Sequence, residues 1–325
     1  MEPKNLSTYC LRRLIQSLPL LVAVVVVNFV IIQLAPGDPV TALIGEFPAT
    51  PEYVEQVREQ YGLNKPAWQQ LVNYLTTVVQ GDLGYSFANR QPVLELILGR
   101  LGATLLLTVT AFVLSVIIGT GLGVISSLRP YSLLDNLGVI ISLIGYSMPV
   151  FWVGQLLILV FAVHLDWLPT SGMRTLRFNY QGWDAAKDIG LHLVLPVLAI
   201  MLRSTAVNTR IARASMLEVL GNDYVRTARA KGLPERIVVA RHAFRNALLP
   251  VLTLTGFELG FLAAGSMLVE TVFGWPGIGR LLYDSITARD YPVILGVFLI
   301  ISITVILATL ITDVLSALFD PRIRF

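Results

Sequence analysis

The side chains in this sequence whose types could carry out chemistry are few and far apart. Gly145-Tyr146-Ser147 offers a hydroxyl nucleophile and His192 a base, the minimum of an intramembrane serine protease. Ser147 also lies beside Pro149, where a hydroxyl has a simpler task in satisfying backbone groups freed by a proline kink. His164, His192 and His242 do not fall at ligand spacing and no His-Glu-x-x-His occurs, so no metal site is expected. No Gly-x-x-x-x-Gly-Lys-[Ser/Thr] phosphate loop occurs, so this chain is not expected to bind ATP itself, and no bound cofactor is expected. The single cysteine, Cys10, excludes an internal disulfide or a cysteine metal cluster. No catalytic residue is assigned. Arg203 and Glu258, two charges inside apolar runs, and a basic loop over 216–246 are the remaining groups with something to do.

A charge at the centre of a spanning helix costs about 2.5 to 3.5 kcal/mol on insertion scales, so Arg203 and Glu258 should face a bundle interior, a partner or a water-filled path. The spans that carry them run antiparallel and place them at similar depth. They are expected to pair or to line a translocation path, where a zwitterionic solute meets both signs. The bland alternative is that Arg203 snorkels towards the cytoplasm and Glu258 meets a sister subunit.

The elements that position these residues follow from composition. Of 325 residues, 55% are apolar and 14% charged, against about 25% charged in a soluble domain. Six spans of about 20 residues fit within that apolar supply. A formal charge of +3, with no run of five like charges, gives no reason to expect nucleic acid. Apolar stretches at 14–34, 101–127, 135–165, 191–215, 247–270 and 292–317 predict six spans, the third kinked by Gly145 and Pro149. The first is too long for a secretory signal and lacks a small-x-small cleavage site. Fifteen of the 24 Lys and Arg then fall on one side with both termini, which the positive-inside rule makes cytoplasmic.

Between the first two spans, 35–100 is expected outside as a helical segment. Thr50-Pro51 and Asn64 to Pro66 read as helix starts. Trp68, Leu71, Leu75, Val78 and Val79 form one apolar stripe ended by Gly81, either a cap on the bundle or a docking platform. Inside, the 216–246 loop predicts a short helix capped by Asn222 or Asp223 and running to Ala230, a positive-φ stop at Gly232, and a second helix from Pro234. A short helix displayed on the cytoplasmic face is what a motor needs in order to push on the spans; alternatively, its basic residues only enforce topology. Trp275, Pro276, Gly277 and Gly279 carry too much turn chemistry for a regular span and predict a short outer excursion, near an outer gate or simply in the interfacial belt.

At the 216–246 loop the sequence resembles the integral-membrane subunits of ABC importers, of the dipeptide/oligopeptide permease family. Arg226, Thr227 and Ala228 stand where the general signature has Glu-Ala-Ala, Gly232 holds its glycine, and Leu249-Pro250 closes it after a longer interval. DYVRTARAKGL (Asp223 to Leu233) is the form typical of peptide permeases. The resemblance continues through APGDP (Ala35 to Pro39), YGLNKPAWQQ (Tyr61 to Gln70), GDLGYS (Gly81 to Ser86), SMPVFWVG (Ser147 to Gly154), ETVFGWPGIGRLLYDSI (Glu270 to Ile286), RDYP (Arg289 to Pro292) and DPRIR (Asp320 to Arg324).

The resemblance implies an all-α polytopic membrane protein of the prokaryotic inner membrane: 1–34 an N-terminal end and first span, 35–100 an extracytoplasmic segment, 101–325 a five-helix permease core. It implies a heterodimer with a second homologous permease, two cytoplasmic ATPases that hold ATP and Mg, an extracytoplasmic substrate-binding protein, a di- or oligopeptide substrate and membrane lipid. Asp223, Tyr224, Arg226, Thr227, Ala228, Lys231 and Gly232 would form the ATPase-coupling surface, and Trp275, Pro276 and Gly277 would lie near the outer gate. Relatives with the same signatures serve nickel complexes, glutathione and oligosaccharides, so substrate is open at this point. An ion-driven transporter would instead show inverted repeats and several buried carboxylates; only Glu258 and, near a span end, Asp313 are candidates.

Overall fold

Helix α1 (Leu6–Leu34) opens a computed structural model that describes residues 6–34, 50–60, 64–86, 88–259, 262 and 266–319. Expectations placed on Lys4, on Ala35 to Pro39, on Tyr61 to Leu63 and on Asp320 to Arg324 lie outside those residues. Two short helices follow where prolines start them, α2 (Pro51–Gln60) and α3 (Ala67–Val79). Pro66 sits at the N-cap of α3, and Gly81 turns the chain with φ +83°. A two-residue antiparallel hairpin, β1 (Tyr85–Ser86) with β2 (Gln91–Pro92), leads into α4 (Val93–Leu128). The stripe on α3 is only partly used: Leu75 and Val78, joined by Tyr74, pack on the bundle, whereas Trp68 and Val79 are exposed.

The chain then forms α5 (Leu133–Ser147), α6 (Val150–Leu157) with a wider π-helical turn through Ile158–His164, and α7 (Gly182–Leu220). Helix α8 (Asp223–Ala230) precedes α9 (Glu235–Ile237), a second π-helical turn (Val238–Ala243) and α10 (Phe244–Leu259). Two short helices, α11 (Met267–Val272) and α12 (Ile278–Ala288), separate α10 from α13 (Tyr291–Phe319).

Among the described residues five helical stretches are long and apolar enough to cross a membrane: Ile15–Leu34, Val93–Leu128, Gly182–Leu220, Glu235–Gly256 and Tyr291–Thr312. Asp135–Ser147 and Val150–His164 are bent by 104° at their junction, so the count is five, or six if that pair crosses as one broken span. The break falls at Pro149, which cannot donate a backbone hydrogen bond and crowds the preceding turn. Gly145 is not its cause; a Cβ there would lie 3.0 Å from Leu202 on α7, so this glycine is a contact point. The stretch expected as one span over 247–270 is corrected: the apolar span begins twelve residues earlier, at Glu235, and is assigned to Glu235–Gly256, while Glu270 belongs to α11.

The bundle is built around α4 against α7. Ser115, Gly119, Gly123 and Ser127 recur every fourth residue on α4, making a strip of small residues along which another backbone can approach. A Cβ on Gly123 would stand 2.6 Å from the Ala212 Cβ and 2.6 Å from the Thr209 carbonyl, well inside ordinary contact. Helix α7 is also joined to α5 by an ion pair, between Arg213 and the buried Asp135. Asp135 has no exposed surface; its carboxylate accepts from Arg213 Nε at 2.6 Å and Nη2 at 2.7 Å, and from the Tyr131 backbone N–H at 2.8 Å. Two-pronged geometry of this kind is what offsets the cost of taking the Asp135 charge out of water.

Candidate functional site

Helix α8 stands apart from the spans but is locked to them from one side. Val225 and Ala228 are buried in a cluster with Met216 and Val219 of α7, Val238 and Ala243 of the turn before α10, and Ala247. Spacing of three on a helix puts those two side chains on one face, and the other face is left to Asp223, Tyr224, Arg226, Thr227 and Lys231, all exposed. Asn222 occupies the N-cap without a side-chain bond. At the other end, Lys231 N–H donates to the Thr227 carbonyl and Gly232 N–H to the Arg229 carbonyl, closing the helix. Gly232 has φ +75° with open space around it, the left-handed stop expected from the sequence.

Two links tie this turn to the span that follows. Arg229 donates to Glu235 through Nη2 at 2.6 Å and Nε at 3.1 Å, bridging the glycine turn. Asn246 Nδ2 on α10 donates to the Tyr224 hydroxyl at 2.8 Å. Neither link was expected, although a basic residue six positions before an acidic one across a Gly-Leu-Pro turn is a readable signal. Arg226 lies 3.7 Å from Asp223 with both side chains in solvent, a pair of little energetic weight. A force applied to α8 therefore reaches α7 and α10 through buried contacts and two polar links.

Arg203 and Glu258 are not brought together. Among the described residues no ion pair joins them. The Arg203 guanidinium instead lies 5.4 Å from the centre of the Tyr146 ring, and Arg210 reaches the same ring at 5.7 Å. Equal depth along two antiparallel helices does not fix the direction in which each side chain leaves its helix, which is why the sequence suggested a pair. Ser147 and His192 are likewise engaged separately: Ser147 Oγ donates to the Leu143 carbonyl at 2.8 Å beside the Pro149 break, and His192 Nδ1 lies 2.8 Å from the Asp188 carbonyl. The hydroxyl bonds back to the carbonyl one turn earlier in its own helix, not to one freed by Pro149, and no nucleophile–base pair forms.

The glycine-rich stretch after α11 is a packed knot. Trp275 is fully buried against Ala103, Leu107, Val197 and Met201, and its Nε1 donates to the Ala103 carbonyl at 2.8 Å. Glu270, also fully buried, accepts from Thr104 Oγ1 at 2.9 Å and from the Arg280 backbone N–H at 2.9 Å, which anchors the first turn of α12. Gly277 is required because a side chain there would occupy the space of the Glu270 carboxylate. Trp275 is thus a core anchor and not a member of an interfacial belt.

Sequence pieces that are far apart also meet. Ser86 of GDLGYS donates to Asp290 of RDYP at 2.6 Å in a buried pocket. Burial pushes the Asp290 carboxyl above its ordinary value, opposed by the Ser86 hydrogen bond. Gly154 of SMPVFWVG leaves only 3.0 Å between a Cβ and the Phe273 ring of ETVFGW.

A helical bundle with several apolar spans and one displayed helix has the architecture of a multi-span membrane protein. The chain matches the family described as "Binding-protein-dependent transport system inner membrane component" over residues 119–325 and the corresponding N-terminal family over residues 6–108, and it belongs to that family. It is 41% identical over 321 residues to the oligopeptide transport system permease protein AppB of Bacillus subtilis, covering 98% of this chain and 100% of that one. It is 39% identical over 333 residues to the dipeptide transport system permease protein DppB of Escherichia coli, with 97% and 98% covered. The glutathione transport system permease protein GsiC of Escherichia coli is 42% identical over 317 residues, with 98% and 99% covered. In fold, it is similar to a chain from inward-facing structures of the MetNI methionine ABC transporter, with a TM-score of 0.52 at 18% identity, covering 70% of this chain and 97% of that one. The chain is a transport subunit and not an enzyme.

Proposed function

We propose that this chain is one permease half of an ATP-driven peptide importer, and that α8 is the lever on which a cytoplasmic ATPase acts. The observation that carries the proposal is the two-faced α8, buried through Val225 and Ala228 against α7 and the α10 segment while Asp223, Tyr224, Arg226, Thr227 and Lys231 face outward. Full-length similarity to oligopeptide and dipeptide permeases supports the substrate class. In this reading the bent pair α5–α6 crosses as one span, giving six, with both termini cytoplasmic and α2 and α3 outside within a 35–100 segment. The 101–325 part is the permease core, with its 216–246 loop cytoplasmic. A second homologous permease completes the path, two ATPases carry ATP and Mg, and an extracytoplasmic binding protein delivers the peptide. Closure of the ATPases moves α8, and through its buried face α7 and α10, so that the path opens alternately to each side. The knot at Trp275, Pro276 and Gly277 fixes the outer end of α4 against α12 and is proposed to frame the outer gate.

Reconstitution of the assembled transporter in vesicles tests this: dipeptide or oligopeptide uptake should require ATP and the binding protein. Purification of the chain without any ATPase, or uptake that ignores ATP, would overturn it. The similarity to a glutathione permease supports a second reading in which the peptide is glutathione, and competition of labelled dipeptide uptake by glutathione separates the two.

A further inference from the structure

The first and last spans touch near their middles and part towards one membrane face. Val25 of α1 is buried in one apolar cluster with Val297 and Leu299 of α13, and Leu21 packs on that cluster together with Ile300 and Ile301. Beyond Leu21 the two helices leave a cavity of about 200 Å³ between them. Helix α1 lines it with Arg13, Gln16 and Leu20, which recur at three and four residues and so share one face. Helix α13 lines it with Val305, Ile306 and Thr309.

The lining changes character with depth. The first span is apolar from Ile15 and the last as far as Thr312, so Arg13 and Thr309 stand at the bilayer boundary. Leu20 lies seven residues, or about 10 Å, further in along α1, and Val305 lies one turn further in along α13. A polar rim thus leads to an apolar floor. Thr309 Oγ1 donates to the Val305 carbonyl at 2.8 Å, which returns that hydroxyl to its own helix. The Arg13 guanidinium, with its five N–H donors, and the Gln16 amide are the groups a ligand meets at the rim.

A gap on the outer surface of two spans is filled by the surrounding solvent, which at this depth is lipid. Left empty it would forfeit dispersion contacts along its walls, and Leu20, Val305 and Ile306 offer a water molecule no hydrogen bond. Charge then chooses the headgroup. Arg12 and Arg13 are both exposed at this end of α1, and Asp313 follows one turn beyond Thr309 on α13. Two positive charges against one negative leave the rim cationic.

We propose that the cleft between α1 and α13 binds an anionic phospholipid such as phosphatidylglycerol, with its phosphate at Arg13 and Gln16 and an acyl chain laid against Leu20, Val305 and Ile306. The site requires that α1 and α13 cross the membrane and is independent of what the transporter carries. A lipid seated there wedges the first span against the last where their side chains no longer meet.

The test uses the complete transporter in nanodiscs of equal parts phosphatidylglycerol and phosphatidylcholine, with the photo-cross-linker p-benzoylphenylalanine in place of Thr309 at the rim. Illumination should capture phosphatidylglycerol over phosphatidylcholine by about fivefold, the factor expected from one basic residue near a charged membrane surface. The same probe in place of Leu307, exposed on α13 and outside the cleft lining, should capture the two lipids about equally. Arg12→Gln with Arg13→Gln should bring the ratio at position 309 down to that at position 307, with gel filtration showing the complex intact. Should that variant fail to assemble, Ile306→Trp, which fills the floor and leaves the charges, should cut the phosphatidylglycerol adduct at position 309. Equal ratios at the two probe positions, a ratio that survives loss of both arginines, or an adduct unaffected by Ile306→Trp overturns the site. Suppression of the adduct by soluble glycerol phosphate assigns the rim to a free anion and also overturns it, as does an adduct formed with protein in place of lipid.

Discussion

Replacing Gly232 with valine isolates the mechanical role of the turn behind α8. The residue sits at φ +75°, and a Cβ there would meet nothing within 4 Å, so the substitution introduces no clash. What it adds is the left-handed backbone penalty of an L-residue, about 1–2 kcal/mol. Two native contacts oppose release of the turn: the Gly232 N–H bond to the Arg229 carbonyl and the Arg229–Glu235 bridge across it. A penalty of that size changes an equilibrium constant by about 5- to 30-fold, enough to redistribute the orientation of α8 while Val225 and Ala228 stay buried. In vesicles, Gly232→Val should assemble normally yet lose most of its binding-protein-stimulated ATP hydrolysis and peptide uptake. Gly232→Asn, which tolerates left-handed φ, should stay near the unaltered rate. Adding Glu235→Gln to the valine variant should deepen the defect by removing the bridge. Uptake and ATPase stimulation at unaltered levels in Gly232→Val would refute the lever.

Three further substitutions read the scaffold. Gly123→Ala forces α4 and α7 apart by about 1 Å and should cost about 1–3 kcal/mol, seen as a lower melting temperature in detergent. Asp135→Asn leaves Arg213 without its partner and should cost about 3 kcal/mol, whereas a surface pair such as Asp223 with Arg226 should give almost no change when Asp223→Asn is measured in the same melt. Trp275→Phe deletes the bond to the Ala103 carbonyl and leaves a cavity where part of the buried indole stood, so a loss of about 2–4 kcal/mol is expected; a variant as stable as the parent would show that the knot does not depend on the indole.

Much of the architecture was legible because it depends on local rules. Proline at 51, 66 and 149 and glycine at 81 and 232 mark helix ends by backbone geometry alone, and the structure puts breaks at each of them. Span boundaries were less legible because hydropathy reports the membrane and not the helix. Helix α4 begins at Val93, eight residues before the apolar stretch expected over 101–127, since helix propensity continues through charged residues such as Glu95 and Arg100. Side-chain partners between distant elements were least legible. Nothing local tells that Asp135 meets Arg213, that Glu270 meets Thr104, or that Arg203 turns towards Tyr146 and not Glu258. Those depend on the rotation of each helix about its axis, which for α4 against α7 is marked by the close approach at Gly119 and Gly123.

Site-directed cross-linking from α8 addresses the coupling surface most directly. With Cys10 replaced, a cysteine in place of Arg226 on the exposed face and another in place of Val225 on the buried face can each be treated with a short bifunctional reagent in native membranes. The position 226 cysteine should form an adduct with an ATPase subunit, and its yield should change when nucleotide is added, while the position 225 cysteine should form none. Absence of any ATPase adduct from position 226 in membranes active for uptake, or equal adducts from both positions, would contradict α8 as the contact through which ATP hydrolysis moves the spans.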